Sequence, residues 1–473
     1  MKSKKLGIVL VSLLVIQLVF FGRFSFSSAA EVAQPSEVFV GIDVAYANLT
    51  ANKALIDKVS SYTNLFVIGS SAIAYNNESL NEIAQYLFDR NMSFIVYSDD
   101  ARKISSQWFE TAKNRWTNHF LGLYIWDEPG GKIVDRAYDW WGVYNADNYE
   151  DAGSSYVSMV SRYLSSFSRN AGTTPFFTSD YALYWYDYKA GYSTVFAEYG
   201  WNYSRQINTA LCRGAATAQN KDWGIMITWT YTHPPYIESG PELYSDMVLA
   251  YESGAKYIVV FDSNEDWTAG ILKEEHYSAL EQFWQYVQSH PRKTSTASGR
   301  VAYVLPDYYA YGFRGPDDKI WGIWESNSDV NSETPTYDLS MAVGYVLMLY
   351  MDKIDLVYEN GQSANSYGYS GLIYWNDPRL FQPQDQFPNI SPLPSPPSTL
   401  TPTPSATPSV TQSPTPSPSE APSSTPVQTS PPTSSNDPPS NSLPLQQYFI
   451  ALTASAVTAI SVGSVYWLRK RNK

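Results

Sequence analysis

Short apolar runs and amphipathic stretches alternate along this chain until eight of each have passed, and few folds accept that order. The runs are Val38 to Val44, Leu65 to Gly69, Ser93 to Tyr97, Leu121 to Trp126, Pro175 to Thr178, Thr194 to Ala197, Gly224 to Trp229 and Tyr257 to Phe261. Each has the length of a strand buried on both faces. Helical spacing fills the gaps, as in Asn52 to Ser61, Ser79 to Asp89, Ala152 to Ser168, Arg205 to Gln219 and Pro241 to Ser253, and His276 to Gln288 closes the series. Strand followed by helix, repeated, gives parallel strands joined by right-handed crossovers. Eight such units predict an α/β fold, a (β/α)8 TIM barrel over residues 36–290. No G-x-G-x-x-G follows the first run to favour an open dinucleotide-binding sheet.

The pattern restarts after the polar linker Pro291 to Ser298. Arg300 to Leu305, Asp355 to Tyr358 and Gly371 to Trp375 read as strands and Tyr337 to Met351 as an apolar helix, which makes a small α/β domain at 299–380. With so few elements it is expected to pack on the barrel. Residues 387–444 are largely Pro, Ser and Thr and contain no run able to form a core, so they read as an extended stalk.

The ends of the chain speak to location. Residues 1–30 carry a basic start, an apolar stretch and small residues before Ala30, the pattern of a secretory signal. Residues 448–468 are apolar over a length that spans a bilayer core, and the basic tail 469–473 follows. The expected topology is a single-pass cell-membrane protein with its globular part outside. Five N-x-S/T sequons, at Asn48, Asn77, Asn91, Asn202 and Asn389, are compatible with an exported glycoprotein.

Composition narrows the chemistry. A net charge of −13 argues against nucleic acid as a partner. The single cysteine, Cys212, excludes an internal disulfide, so the fold rests on its core. Four scattered histidines form no H-x-x-x-H or C-x-x-C arrangement, and no cofactor or metal is expected. Peptidase signatures are also missing from the sequence.

Acidic residues fall repeatedly where strands should end on the face of a barrel that collects catalytic groups. Asp43 follows the first run, Asp99 and Asp100 the third, Asp127 and Glu128 the fourth, Asp180 the fifth, Glu198 the sixth and Asp262 the eighth. Like charges crowded on one rim raise some carboxyl pKa values, as a general acid near neutral pH requires. Aromatic residues share these positions: Tyr46, Trp126, Trp185, Tyr199, Trp201, Trp229 and Tyr231, with Tyr181 to Tyr188 read as an exposed aromatic loop. Such rings stack on the C–H faces of sugars. A saccharide or glycoconjugate is therefore the expected partner, with Asp43, Asp180, Asp262 and His233 as further substrate-binding candidates.

The segment Tyr124-Ile125-Trp126-Asp127-Glu128-Pro129 resembles the fourth-strand Asn-Glu-Pro signature of the large (β/α)8 clan of retaining glycoside hydrolases. The small domain after the barrel is similar to the layout of the beta-galactosidase family in that clan. The resemblance implies an O-glycosidase with Glu128 as acid/base and Asp127 in the place of a sugar-binding asparagine. It breaks at the seventh strand, where the clan has a nucleophilic glutamate and this chain reads Thr228-Trp229-Thr230-Tyr231.

Three arrangements can replace that missing acid. Glu198 can pair with Glu128, which is the preferred expectation. Alternatively, Asp127 can orient the acetamido group of an N-acetylated sugar while Glu128 protonates the leaving oxygen. In the third, Glu238 returns to the site from the loop after Trp229. The competing function is a catalytically inactive barrel acting as a carbohydrate-binding surface protein.

Overall fold

The structure, a computed structural model, describes residues 38–377 except 101, 139–141, 293–298, 316, 327–338 and 360–367. The expected signal peptide, stalk, anchor and basic tail lie outside the described residues. No helix among the described residues is long and apolar enough to cross a membrane.

Eight parallel strands close into a barrel in chain order: β1 (Phe39–Val44), β2 (Leu65–Ile68), β3 (Ser93–Ser98), β4 (Phe120–Ile125), β5 (Phe176–Asp180), β6 (Thr194–Tyr199), β7 (Asp222–Ile227) and β8 (Tyr257–Phe261). Closure is direct, because Gly41 of β1 pairs with Leu65 on one side and Val259 on the other. The eight apolar runs of the sequence are these eight strands, with bounds that differ by at most two residues.

Helices α1 (Leu49–Val59), α2 (Ser71–Ala74), α3 (Asn77–Phe88), α4 (Ser106–Arg115), α5 (Pro129–Val134), α6 (Tyr149–Ala171), α7 (Tyr184–Ala190), α8 (Arg205–Gln219), α9 (Gly240–Glu252) and α10 (Glu274–Ser289) fill the connections. Side-chain caps define several starts: Asn48, Asn76, Ser105, Asn148 and Ser204 each accept a backbone N–H of the first turn. Each such cap contributes about 1 kcal/mol.

Strand alternation sorts the side chains. Phe39, Val67, Ile95, Tyr124, Phe177 and Phe196 belong to one buried cluster that fills the barrel, so residues two positions further along the same strands face its mouth.

After the barrel come β9 (Val301–Leu305), α11 (Leu339–Tyr350), β10 (Ile354–Tyr358) and β11 (Gly371–Tyr374), whose strands form a parallel sheet in the order β10-β9-β11. This sheet packs on α8, as expected. Gly214 of α8 meets the β10 backbone so closely that a Cβ would lie 2.3 Å from the Leu356 carbonyl oxygen. Beside it, the buried Arg213 donates to Asp355 Oδ1 at 2.7 Å and to the Asp352 and Ile354 carbonyls. Arg300 and the Tyr369 hydroxyl take the other Asp355 oxygen, which leaves this buried carboxylate fully paired.

The aromatic segment Tyr181 to Tyr188 departs from expectation. It is not an exposed loop; most of it is α7, and Tyr184, Trp185, Tyr186 and Tyr188 are buried. Trp185 packs against Tyr358 at 5.6 Å between centroids, and Tyr186 lies edge-on to Trp321 at 4.7 Å. Partners far along the chain cover these rings, and local polarity in the sequence could not reveal them.

Candidate active site

Three carboxyl groups stand over the barrel mouth. Asp43 is four residues beyond Phe39 on β1, and Glu198 two beyond Phe196 on β6, so both point inward by strand parity. Asp127 follows β4 and reaches back over it, accepting the hydroxyl of the interior Tyr124. Ser179, two beyond Phe177 on β5, lies between them: its Oγ is 2.7 Å from Glu198 Oε1 and 3.1 Å from Asp127 Oδ1. The hydrogens suffice for both acids when Tyr124 donates to Asp127 and Ser179 donates to Glu198. Two short contacts through one oxygen also hold these carboxyl oxygens closer than the roughly 6.5 Å minimum of an inverting pair.

Consecutive residues at a strand tip normally face opposite ways, but Asp127 and Glu128 do not. Trp126 and Glu128 both have φ of 56°, a left-handed conformation rare for large side chains and typical of strained functional turns. Glu128 is also the N-cap of α5, and Lys132, one turn on, lies 3.4 Å from Glu128 Oε2 and 3.7 Å from Asp127 Oδ2. One ammonium therefore faces both carboxylates. Lys132 is tethered in turn by a 2.6 Å bond to the Asp127 carbonyl.

The electrostatics separate these acids. Loss of water and the neighbouring Asp127 push Glu128 up to about 8, against the opposing pull of Lys132. Burial, then Glu128 and Asp127, raises Glu198 well above the usual carboxylate range. Asp43 is raised by burial and by Asp127. Asp127 is the most open of the set, with 43% of its side chain exposed, against 3% exposure for Glu198. It alone combines solvent access with a phenol donor and a nearby cation.

Other expected residues have different surroundings. Asp180 falls on the outward parity of β5 and accepts the N–H groups of Gly130, Gly131, Tyr181 and Ala182. Asp262 takes those of Ile271 and Leu272, and Tyr46 hydrogen-bonds to it. Tyr199 points outward to Thr209 of α8, and Trp185 is buried as described. Asp180, Asp262, Trp185 and Tyr199, expected as substrate contacts, are all buried, and Asp180, Asp262 and Tyr199 hydrogen-bond within the protein.

Trp126 lies edge-on to Tyr163 of α6. Trp229 stacks on Trp267 at 6.1 Å and 18°, and Trp267 is 53% exposed. Trp201 and Tyr231 line a cleft with Tyr203 and Glu238, and His233 is exposed on the same loop. Within the cleft Arg205 joins Glu238 at 3.0 Å to Asp246 at 2.8 Å. Burial and Asp246 raise Glu238 to about 8.

Ser179, Tyr124 and Lys132 were not singled out from the sequence. Lys132 did leave a signal, the i,i+4 spacing from Glu128; a lone serine in Thr178-Ser179-Asp180 leaves none. The mouth end of the seventh strand offers no acid, since the position two beyond the interior Met226 is Thr228.

No known family model matches the chain, and no curated protein matches it. Among solved structures, GH5_18 from Streptomyces cattleya in complex with GlcNAc aligns over 73% of this chain and 100% of its own, with 11% identity and a TM-score of 0.46. A beta-galactosidase from Bacillus circulans sp. alkalophilus aligns over 72% and 67%, at 8% identity and TM-score 0.46. Another, from the haloarchaeon Halorubrum lacusprofundi, aligns over 71% and 69%, at 10% and 0.45. These are distant likenesses of (β/α)8 architecture, and they say nothing about the chemistry of the residues above.

Proposed function

We propose that this protein is a glycoside hydrolase in which Glu128 donates the proton to the leaving oxygen and Asp127 is the carboxylate facing the sugar. The observation that carries the reading is the shared contact of Lys132 with both side chains, which puts a raised acid and an open carboxylate on the same side of one strand tip. Glu198 is buried and favoured in its neutral form, a poor state for a nucleophile. Its role in this reading is to accept the Ser179 hydroxyl beside Asp127, not to attack the sugar. That differs from the Glu128 and Glu198 pairing preferred from sequence.

A panel of aryl glycosides, with and without a 2-acetamido group, tests the reading on the full chain. Cleavage that is lost in Glu128→Gln supports it, and undiminished turnover by that variant refutes it. Asp127→Ala separates two roles on the same panel. Loss on all substrates marks Asp127 as the attacking group, whereas loss restricted to acetamido sugars marks it as their orienter.

A second reading, a barrel that binds saccharide without cleaving it, is favoured by one observation: Thr228 stands where the seventh strand would carry a nucleophile. Binding to the panel with no cleavage would select it. In either case the barrel is proposed to work outside the cell on a Pro/Ser/Thr stalk and a single C-terminal helix. The sequence pattern of both ends supports this, and protease treatment of intact cells tests it.

A further inference from the structure

The chain that follows the barrel reaches back to the catalytic strand tip. Asp135 is the C-cap of α5, the helix that Glu128 caps at its other end and that carries Lys132. Each oxygen of Asp135 has a partner: Oδ1 lies 2.7 Å from Arg314 Nη2, and Oδ2 accepts the Tyr181 hydroxyl at 2.7 Å. Arg314 comes from the loop after β9, and its guanidinium is itself held there. Its Nη2 and Nε donate to Asp318 Oδ1 at 2.7 Å and 3.1 Å, and its backbone N–H donates to Asp318 Oδ2 at 2.7 Å. The guanidinium also lies 5.1 Å from the Tyr181 ring centre and 5.9 Å from that of Tyr203, and these two rings stack on each other at 5.4 Å. A second contact comes from Gly322, where a Cβ would fall 2.5 Å from the Ile133 carbonyl oxygen of α5.

A planar guanidinium fixed along one edge by a carboxylate and flanked by rings has little freedom to swing, so it offers Asp135 a fixed point. Only 11% of the Arg314 side chain is exposed, and water screens such a contact little. A helix of six residues, by contrast, is too short to hold itself. We infer that Arg314 is a positioning residue of the candidate active site: by holding the far end of α5, it keeps Lys132 within reach of both Glu128 and Asp127. Lys132 stands three residues before Asp135, less than one turn away, so a loosened helix end carries the ammonium with it. Arg314 itself touches no substrate. The catalytic consequence rests on the Glu128 reading, but the brace between Arg314 and α5 does not.

The test uses the full chain and the variants Asp135→Ala, Asp135→Asn and Arg314→Gln. Asp135 is 44% exposed, and Arg314 keeps Asp318 when Asp135 is lost, so the alanine variant should fold. Amide hydrogen exchange is read first, without substrate, at Lys132 and Ala137, which donate to the Glu128 and Lys132 carbonyls. Asp135→Ala and Arg314→Gln should each speed it about tenfold or more, whereas asparagine still accepts from Arg314 and should stay within about twofold of the parent. A smaller rise in Asp135→Ala, or an equal rise in Asp135→Asn, would overturn the brace; these two decide it alone if Arg314→Gln does not fold. Where a sugar is cleaved, the alkaline limb of kcat/KM separates positioning from charge. Lys132 pulls Glu128 down, so a displaced Lys132 moves the limb up, while loss of the Asp135 charge by itself would move it down. An upward shift in Asp135→Ala is expected, and an unchanged or lower limb overturns the positioning role. If no sugar is cleaved, the Glu128 reading fails and the exchange result alone decides the brace.

Discussion

Lys132 Nζ, in the six-residue helix that Glu128 caps, sits 3.4 Å from Glu128 Oε2. This cation holds Glu128 below the value that burial and Asp127 alone would give. A general acid must be protonated, so activity should fall as pH rises through about 8. In Lys132→Met the downward pull is gone, and the alkaline limb of kcat/KM should move to higher pH. A limb that moves down instead would contradict Glu128 as the acid.

Stability should also depend on pH in an unusual direction. Glu128 and Glu238 are each raised from 4.5 to about 8, and Asp180 from 3.8 to about 6. The folded state therefore holds protons that the unfolded chain has released, and stability declines as pH rises. From these groups it is greatest below about pH 4.5 and is lost as pH climbs to about 8. Tm should fall between pH 5 and pH 8, and Glu238→Gln should flatten the fall. A rising Tm across that window is the contrary result.

Gly69, at the tip of β2, leaves room for Asp43. A Cβ there would lie 2.2 Å from Asp43 Oδ1 and 3.0 Å from the Val44 carbonyl oxygen. Gly69→Ala should cost about 1–3 kcal/mol, as overpacking does, and should displace Asp43. Denaturant unfolding measures this; a loss below 0.5 kcal/mol would mean that the strand tip yields freely.

Trp267 is the rim aromatic most open to a ligand, half-exposed, parallel to Trp229 and left-handed with φ of 58°. Glycine adopts that conformation without strain. Trp267→Gly should leave Tm unchanged or slightly higher while weakening saccharide binding about threefold to tenfold, the value of a stacking contact of about 0.5–1.5 kcal/mol. Calorimetric titration with an oligosaccharide reads both the affinity and any compensation.

The barrel was legible because strands buried on both faces read as plain apolar runs, and Leu121 to Trp126 or Tyr257 to Phe261 admit few other interpretations. The adjacent acids were legible too, as residues, but not their direction. Nothing in Asp127-Glu128-Pro129 announces a left-handed Glu128, and without that turn the two carboxylates would diverge. Asp180 and Asp262 showed the limit of reading strand ends alone. One step of parity separates Asp180 from Ser179, and that step turns it from the mouth toward backbone amides. The aromatic run of α7 misled for a different reason, since its cover comes from Trp321 and Tyr358, well over a hundred residues later.

Gly214 has a consequence for how such a molecule can be altered. The helix carrying it closes the barrel on one side and meets the β10 main chain on the other, with no side chain between. Neither half then presents a finished surface of its own. Cutting after residue 290 would strip the cover from Arg213 and the aromatic rings of α7 together, so the appended sheet is not a detachable module. Recombination that exchanges it for another sheet would need a matching groove at that one glycine.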